Sequence, residues 1–468
     1  MNEKKMQLSD YMALLSVALL TFIGIMAETA LNVTFPELAR VFKIALDTTQ
    51  WLTAGYLLMV TIMMGTTAYL LKRFSTKHLQ LAAVVAFIIG DIGSAMAPNF
   101  TILMLSRLLQ AVATGIATPT LFHLVFTQVP REKLGMMTGM AGMIISFAPA
   151  LGPTYGGWVS TAMSWRALFW LLLPIAAISL LLGQHYIPAG AGTKQVSFNL
   201  PSFVALALAM FTWIYAFSLI GNVGITPKFY LLMGLALVLF GIFGWLNFRG
   251  ATTLMDLRIF KHYEISLNGV TYFSLQFINI GLSTVIPVYA QYTLHASPLV
   301  AGLILLPGTI LGAVMSPISG ALADRVGFAM PVLTGSCLLV LGTASFLFFQ
   351  AKLTPVWIAV FFMLLRAGFN MTFANTISNS STKVPVQSAA DVSSIFNVLQ
   401  QFAGATGVVF LASLMAQFEN HGTGSMAMRT YMGGHVDFVM GFILALVVLG
   451  ANLVNYHFQY HLGKKKEA

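Results

Sequence analysis

Apolar residues fill this chain in long blocks, each closed by a short polar break. Fourteen such blocks can be traced, at 11–37, 49–71, 79–97, 101–126, 138–160, 164–186, 199–221, 229–248, 265–291, 298–323, 331–350, 355–377, 390–416 and 435–456. Each is near the length of about 20 residues that an α-helix needs to cross a bilayer's hydrocarbon core. Helices are predicted throughout, because a segment in hydrocarbon must satisfy its own backbone hydrogen bonds. The 468 residues are 58% hydrophobic and 8% charged, against about 25% charged in an ordinary soluble domain. A soluble chain of that composition could not cover its core, so a multi-pass, all-α membrane protein is expected. The first block, behind Lys4 and Lys5, is too long for a signal peptide and lacks a convincing cleavage site, so it is read as a retained span.

The formal net charge is +10. In a soluble protein this would suggest nucleic acid, but here the basic residues sit in the breaks between spans. Sixteen of the 24 Lys and Arg fall on the N-terminal side of the membrane and six on the other, with Arg107 and Arg366 left inside spans. That bias predicts both termini in the cytoplasm, and an even number of spans agrees with it. The single cysteine, Cys337, rules out a disulfide framework or a Cys-rich metal site.

A weak internal repeat changes the picture further. The second span ends in Lys72-Arg73-Phe74-Ser75 and the tenth in Asp324-Arg325-Val326-Gly327. Arg107 in span four and Arg366 in span twelve form another matched pair once spans seven and eight are set aside. Two six-span halves joined by a two-span insert are predicted, at 1–190, 251–468 and 191–250. Leu254–Phe260 is predicted as a short amphipathic helix along the inner interface.

Charge inside the membrane is costly to keep and marks function by default. The candidates are Glu28, Asp91, Arg107, Arg366 and Asp437. Asp91 and Asp437 are expected near outer span ends, within reach of water. Thr21, Gly24, Glu28 and Asn32 recur at helical spacing and give span one a polar, small-residue face. A carboxylate on such a face can attract a cation and exchange a proton; the plain alternative is a carboxyl hydrogen-bonded between helices. Arg107, Gln110, Ala111, Thr114, Gly115 and Thr118 share one face of span four. A buried guanidinium there can control a neighbouring carboxyl, or simply tie backbone carbonyls together.

Pro149, Gly152, Pro153, Gly156 and Gly157 line one stripe of span five, which suits a kinked hinge or an occluding contact between halves, or plain close packing. Polar stripes on span nine (Tyr272, Gln276, Asn279, Ser283) and span thirteen (Ser393, Asn397, Gln400, Gln401, Gly404) could line a substrate cavity or bond helices together. The 26 Met and 36 Phe could form an adaptable pocket, although most are more simply packing or lipid-facing residues. His123 is a weak candidate proton relay. His457 and His461, four residues apart, could hold a metal, but no metal is expected in a basic tail. The sequence contains no phosphate-binding Gly-x4-Gly-Lys loop, no His-Glu-x-x-His and no Gly-x-Ser-x-Gly, so neither ATP hydrolysis nor an enzyme activity is expected.

Several of these segments carry a family resemblance. Gly152-Pro153-Thr-Tyr-Gly156-Gly157-Trp158, followed by Trp165-Arg166-Ala-Leu-Phe169, resembles the antiporter signature of the 14-span drug:proton antiporters of the major facilitator superfamily (the EmrB/QacA subfamily, lincomycin-exporter branch). Arg107-x-x-Gln110 with Gly115 and Pro119 is similar to that family's span-four motif, whose arginine is implicated in proton coupling. Glu28-Thr-Ala-Leu-Asn32-Val-Thr-Phe-Pro36 resembles its span-one motif, where an acid serves substrate or proton. The family usually has Asp there; Glu28 is similar to the tetracycline exporters of the class. The loop after span two departs from the pattern, with Lys72 and Ser75 where the family carries Asp and Gly, while Arg73 remains; Asp324, Arg325 and Gly327 keep the pattern in the second copy.

The resemblance, which covers nearly the whole chain, implies a major facilitator fold. It further implies a monomeric, proton-driven, cofactor-free exporter of small hydrophobic, often cationic compounds in a bacterial cell membrane. Substrate and protons would meet at Glu28, Asn32, Arg107, Gln110, Tyr272, Gln276, Asn279, Asn397, Gln400 and Gln401. Two other readings stay open: an uptake or facilitated carrier on the same fold, and a non-transporting membrane sensor, for which the altered loop at Lys72 is the one supporting feature.

Overall fold

The computed structural model describes residues 6–188, 198–249, 254–255, 257–384 and 389–467. Every regular element among them is helical. Fourteen long helices follow the fourteen apolar blocks: α1 (Leu8–Ala30), α2 (Leu46–Arg73), α3 (Thr76–Ala95), α4 (Phe100–Gln128), α5 (Arg131–Ala162), α6 (Leu173–Tyr186), α7 (Leu200–Ser218), α8 (Pro227–Arg249), α9 (Tyr263–Thr293), α10 (Leu306–Val326), α11 (Ala329–Phe348), α12 (Pro355–Thr382), α13 (Ala389–His421) and α14 (Met426–Glu467).

Twelve segments among the described residues are long and apolar enough to cross a membrane; they include all of these helices except α2 and α5. The run 49–71 in α2 is diluted by threonines at 53, 61, 66 and 67. Several side chains of the run 138–160 in α5 lie outside the described set. The expected boundary between the first half and the insert, at 190/191, also lies outside the described residues, as do Lys4, Lys5 and Lys194 and the side chains of Lys72, Ser393 and His461.

Taking α1–α6 as the first half and α9–α14 as the second, α1 packs against α4, α5 and α6, and α4 against α2 and α3, while α9 packs against α13 and α14, and α12 against α10 and α11. α7 and α8, expected as an insert, do not form a separate layer. α7 lies along α8 and seats Leu206, Met210 and Ile214 on Leu57 and Leu58 of α2 and on Phe402, Val408 and Val409 of α13. It therefore covers the seam at which α2 and α13 bring the halves together. Close packing and interhelical polar contacts, rather than water exclusion, hold helices together in lipid.

α1 does not run straight. It tightens into a 3₁₀ turn at Leu31–Thr34 and restarts at Phe35–Phe42, with Pro36 in the first turn of the new helix. A mid-span 3₁₀ stretch often marks a functional hinge, and Glu28 lies just before this one. The contact from Leu254 to Phe260 is not the predicted α-helix. It contains a 3₁₀ turn at Leu257–Lys261, with position 256 outside the description. Its cause is Asn247 on α8, whose side-chain oxygen accepts from the Leu254 N–H at 2.8 Å and whose amide donates to the Met255 carbonyl at 2.7 Å. Those bonds fix an extended approach that a continuous helix could not make.

Candidate functional site

The polar face predicted on α1 is buried against α2 and α4. Glu28 is 3% exposed and Arg107 is fully buried. The pair does not form an ion pair; among the described residues the ion pair is that of Lys383 with Glu264. Arg107 instead donates through Nη1 to Gln110 Oε1 at 2.7 Å and through Nη2 to the Ala27 carbonyl at 3.1 Å. Its guanidinium lies 4.3 Å from the centre of the Tyr56 ring. Tyr56 donates to the Gly24 carbonyl at 2.9 Å and shares a 2.6 Å hydrogen bond with Thr114. Gln110 passes the contact on, because its amide nitrogen donates to Asp91 on α3.

Glu28 differs from its neighbours. Its carboxylate accepts no hydrogen bond among the described residues, yet it is not among the wholly enclosed unpartnered atoms, which include Arg107 Nε and one Asp91 oxygen. Glu28 is thus covered by protein while its carboxylate stays uncommitted among the described residues. Four residues on, Asn32 accepts from Thr53 of α2 at 2.7 Å and donates to Thr284 of α9 at 3.1 Å. Asn32 was expected to meet substrate; here it ties the two halves, helped by Gln291 of α9, which donates to the Val33 carbonyl at 3.0 Å.

The second half gathers its own polar group. Arg366 on α12 donates to Asn279 on α9, whose amide donates to Gln276 at 3.1 Å. Tyr272 donates to Gln400 on α13 at 3.2 Å and stacks on Phe373 at 4.3 Å. Gln401 is half-buried and Asn397 exposed. The residues predicted on span nine thus form two small networks, one with Arg366 and one with α13.

The α5 stripe divides in two. Gly152 and Gly156 face α1 within the same half: a Cβ at Gly152 would lie 2.9 Å from the Met26 carbonyl oxygen, and one at Gly156 would lie 2.9 Å from Val33. Gly157 faces the other half, where a Cβ would lie 2.5 Å from the Pro298 carbonyl oxygen. A Cβ at Gly302 would in turn lie 2.8 Å from the carbonyl carbon of Pro153. Pro149 offers its carbonyl to Thr29 at 3.4 Å. Nearby, Arg166 lies over Trp165 at 4.2 Å and donates to the Ala97 carbonyl at 3.0 Å, which pins the chain after α5 to the end of α3.

The loop motif copies are solved differently. Arg73, Asp324 and Arg325 are exposed, and none of them is ion-paired among the described residues. Gly327 ends α10 at φ 82° and ψ 167°, where its N–H reaches the Ala323 carbonyl. Ser75 sits at φ −68° and caps α3 instead, with Oγ 2.6 Å from His78 Nδ1. The serine is a helix N-cap where its counterpart is a glycine stop, which accounts for the departure at that position.

Two expectations fail. Asp91 and Asp437 are not water-exposed at span ends; both are wholly buried. Each lies on the inner face of a helix that continues past it, so position along the sequence overstated its access. Tyr56, Thr53 and the Arg107–Gln110–Asp91 chain went unrecognised in the sequence. The acid inside the apolar block 79–97 was the available signal. His123 is half-buried. Among the described residues no group of three or more His, Cys, Asp or Glu could hold a metal.

A bundle of membrane-crossing helices with buried charge at its centre defines a polytopic transport protein. The chain matches the Major Facilitator Superfamily model over residues 17–408, and it belongs to that superfamily. It is 31% identical over 444 residues to the lincomycin resistance protein LmrB of Listeria monocytogenes, covering 92% of this chain and 94% of that protein. It is 30% identical over 433 residues to the uncharacterized MFS-type transporter YcnB of Bacillus subtilis, covering 91% of each. A multidrug resistance protein B homolog of Mycobacterium tuberculosis is 27% identical over 382 residues, with 79% of this chain and 70% of that protein covered. The fold is similar to that of a POT family transporter solved with 5-aminolevulinic acid, at TM-score 0.66 and 13% identity over 95% of each chain.

Proposed function

We propose that this chain is a proton-driven exporter of small hydrophobic, often cationic compounds. It crosses the cell membrane fourteen times, through a six-helix half at 1–190, an insert at 191–250 and a second half at 251–468, with both termini in the cytoplasm. The carrying observation is Glu28: an acid enclosed by protein, without a bonded partner among the described residues, at the break in α1 and one residue from the carbonyl that Arg107 holds. A carboxylate in that position can hold a proton or a cationic substrate, but not both. The pairs Gly157–Pro298 and Gly302–Pro153, with Asn32–Thr284, close the outer side of the path in this orientation. Alternating access then consists of separating those contacts while the opposite side closes. The names of the lincomycin and multidrug resistance relatives support export as the direction.

Efflux of ethidium from everted vesicles under an imposed proton gradient tests the reading. Wild-type protein should drive ethidium movement and dissipate the gradient, and Glu28→Gln and Arg107→Ala should each lose the coupling. Full coupled activity in both variants would sink the site assignment. A resistance profile of a drug-sensitive bacterial host, lincomycin included, would define the substrate range.

A further inference from the structure

Asp91 has no part in the mechanism so far, although it is fully buried in the first half. One of its oxygens accepts from Gln110, and the other is enclosed without a partner. One turn along the same face of α3, Ser94 Oγ is also enclosed and unpartnered, as is Arg107 Nε on the helix opposite. Gln110 is oriented from both sides: its amide nitrogen is committed to Asp91 and its oxygen to Arg107. The amide thus links a carboxyl to a guanidinium that also holds the peptide next to Glu28.

We propose that Asp91 is a second proton-binding group of the carrier, coupled to Glu28 through Gln110 and Arg107. The inference rests on the proton-coupled reading above. Its basis is charge balance around one arginine. The ionisable groups that face this place are Glu28 on α1, Tyr56 on α2, Arg107 on α4 and Tyr155 on α5, all electrostatically linked to Asp91 or to Arg107. Arg166 reaches the chain just past α3, at Ala97, and α6 meets α3 lower down, where Gln80 donates to the Ser179 carbonyl. Among the described residues Arg107 is therefore the cation shared by two buried carboxyls. If both were ionised, an uncompensated negative charge would remain in a low-dielectric interior, which is strongly unfavourable. The two carboxyls must titrate as a pair. In the empty carrier one proton is therefore shared between Glu28 and Asp91, and Arg107 balances whichever of them is ionised. A monovalent cation seated on Glu28 supplies the second positive charge, so that proton leaves and both carboxyls are ionised; when the cation departs, one proton returns to the pair. Asp91 is a positioning residue in this scheme, because it acts on the substrate through Arg107.

Binding of tetraphenylphosphonium to the purified full-length protein in nanodiscs, measured across the acid-to-alkaline range, tests the assignment. In Asp91→Asn the guanidinium acts on Glu28 alone, so the midpoint for cation binding should move to lower pH by about one unit, with plateau affinity retained. Asp91→Glu should restore the wild-type midpoint. Gln110→Met, which cuts the link but keeps the acid, should move the midpoint in the same direction by less; it also serves if Asp91→Asn does not fold. A merely structural Asp91 would lower binding at every pH without moving the midpoint, and that result in both Asp91→Asn and Gln110→Met overturns the proposal. A wild-type profile flat with pH would instead overturn the proton-coupled reading itself, and this inference with it.

Discussion

Arg107 and Arg366 stand at matching places in the two halves, yet they are accommodated in opposite ways. Arg107 is linked through an amide to one buried acid and sits beside the peptide of another. Among the described residues Arg366 meets neutral groups: it donates to Asn279 on α9, which is held in turn by Gln276, and Phe369 lies 5.3 Å from its guanidinium. A guanidinium surrounded by amides keeps its arrangement whatever the proton concentration, because nothing that touches it titrates. One linked to carboxyls through an amide and a peptide feels a proton that arrives at either. On the proposed function, the same scaffold position supplies a fixed strut in one half and a charge switch in the other. On this view proton chemistry is confined to the first half, and the second half supplies the surface against which it moves.

The sharpest way to break that comparison is to truncate each arginine in turn. Hydrogen bonds to a charged group contribute about 1.5–3 kcal/mol each. Arg107→Ala, which removes two such bonds and the cation linked to Asp91 through Gln110, should slow proton-coupled ethidium efflux by about a hundredfold or more. Arg366→Ala leaves Asn279 and Gln276 able to bond one another, and should slow efflux by about tenfold or less, with its pH dependence unchanged. Equal losses, or a pH dependence altered by Arg366→Ala, would remove the distinction between the halves.

A second comparison lies within α5. Gly157 and Gly152 are five residues apart, but one faces the other half and the other faces α1. Forcing a methyl group into a filled contact costs about 1–3 kcal/mol. In Gly157→Ala that cost falls on the contact between halves, and should shift the population toward the state open at this end by roughly five- to a hundredfold. Thiol labelling reads this, with Thr284→Cys, which faces Asn32 across the halves, placed in a Cys337→Ala background: labelling should rise with Gly157→Ala. Gly152→Ala should lower the thermal midpoint of the protein and leave labelling unchanged. Increased labelling in both would mean that the stripe acts as one face, as the spacing alone suggested.

The long helices were legible in the sequence because hydrocarbon demands long apolar runs; twelve of the fourteen runs lie in segments apolar enough to cross a membrane, and in α2 the threonines dilute the signal. Glu28, Arg107 and Gln110 were legible for the converse reason, since polar residues at helical spacing inside such runs stand out. What helical spacing could not convey is the direction in which each residue faces its neighbours. Asn32 falls on the same face as Glu28, yet the 3₁₀ turn at Leu31–Thr34 rotates it toward α2 and α9. Asp91 reads as a span-end acid by position, but Gly90 and Gly93 let α4 close over that face of α3 and bury it. Tyr56 carries no charge and so left no trace in a search for intramembrane charge, although its ring and hydroxyl join Arg107 to α1.

The smallest predicted effect concerns the two loop copies, and it separates two explanations of why they differ. If the glycine at 327 were kept for a charge latch with Asp324 and Arg325, replacing it should matter to transport and little to folding. Its backbone argues otherwise. The combination of positive φ and extended ψ at Gly327 is one that essentially only glycine occupies, and a side chain there costs about 1–3 kcal/mol. A Cβ would meet no other residue within 4 Å, so that cost is conformational and not steric. Gly327→Ala should therefore lower thermal stability in detergent by about that amount, while Ser75→Ala, which removes an N-cap, should lower it by about 1 kcal/mol. Ser75→Gly should cost only a few tenths, since glycine is itself an acceptable N-cap. That ranking requires Ser75 to act through its cap and Gly327 through its dihedrals. A Ser75→Gly variant as destabilised as Gly327→Ala would show instead that both loops depend on a shared feature of the repeat.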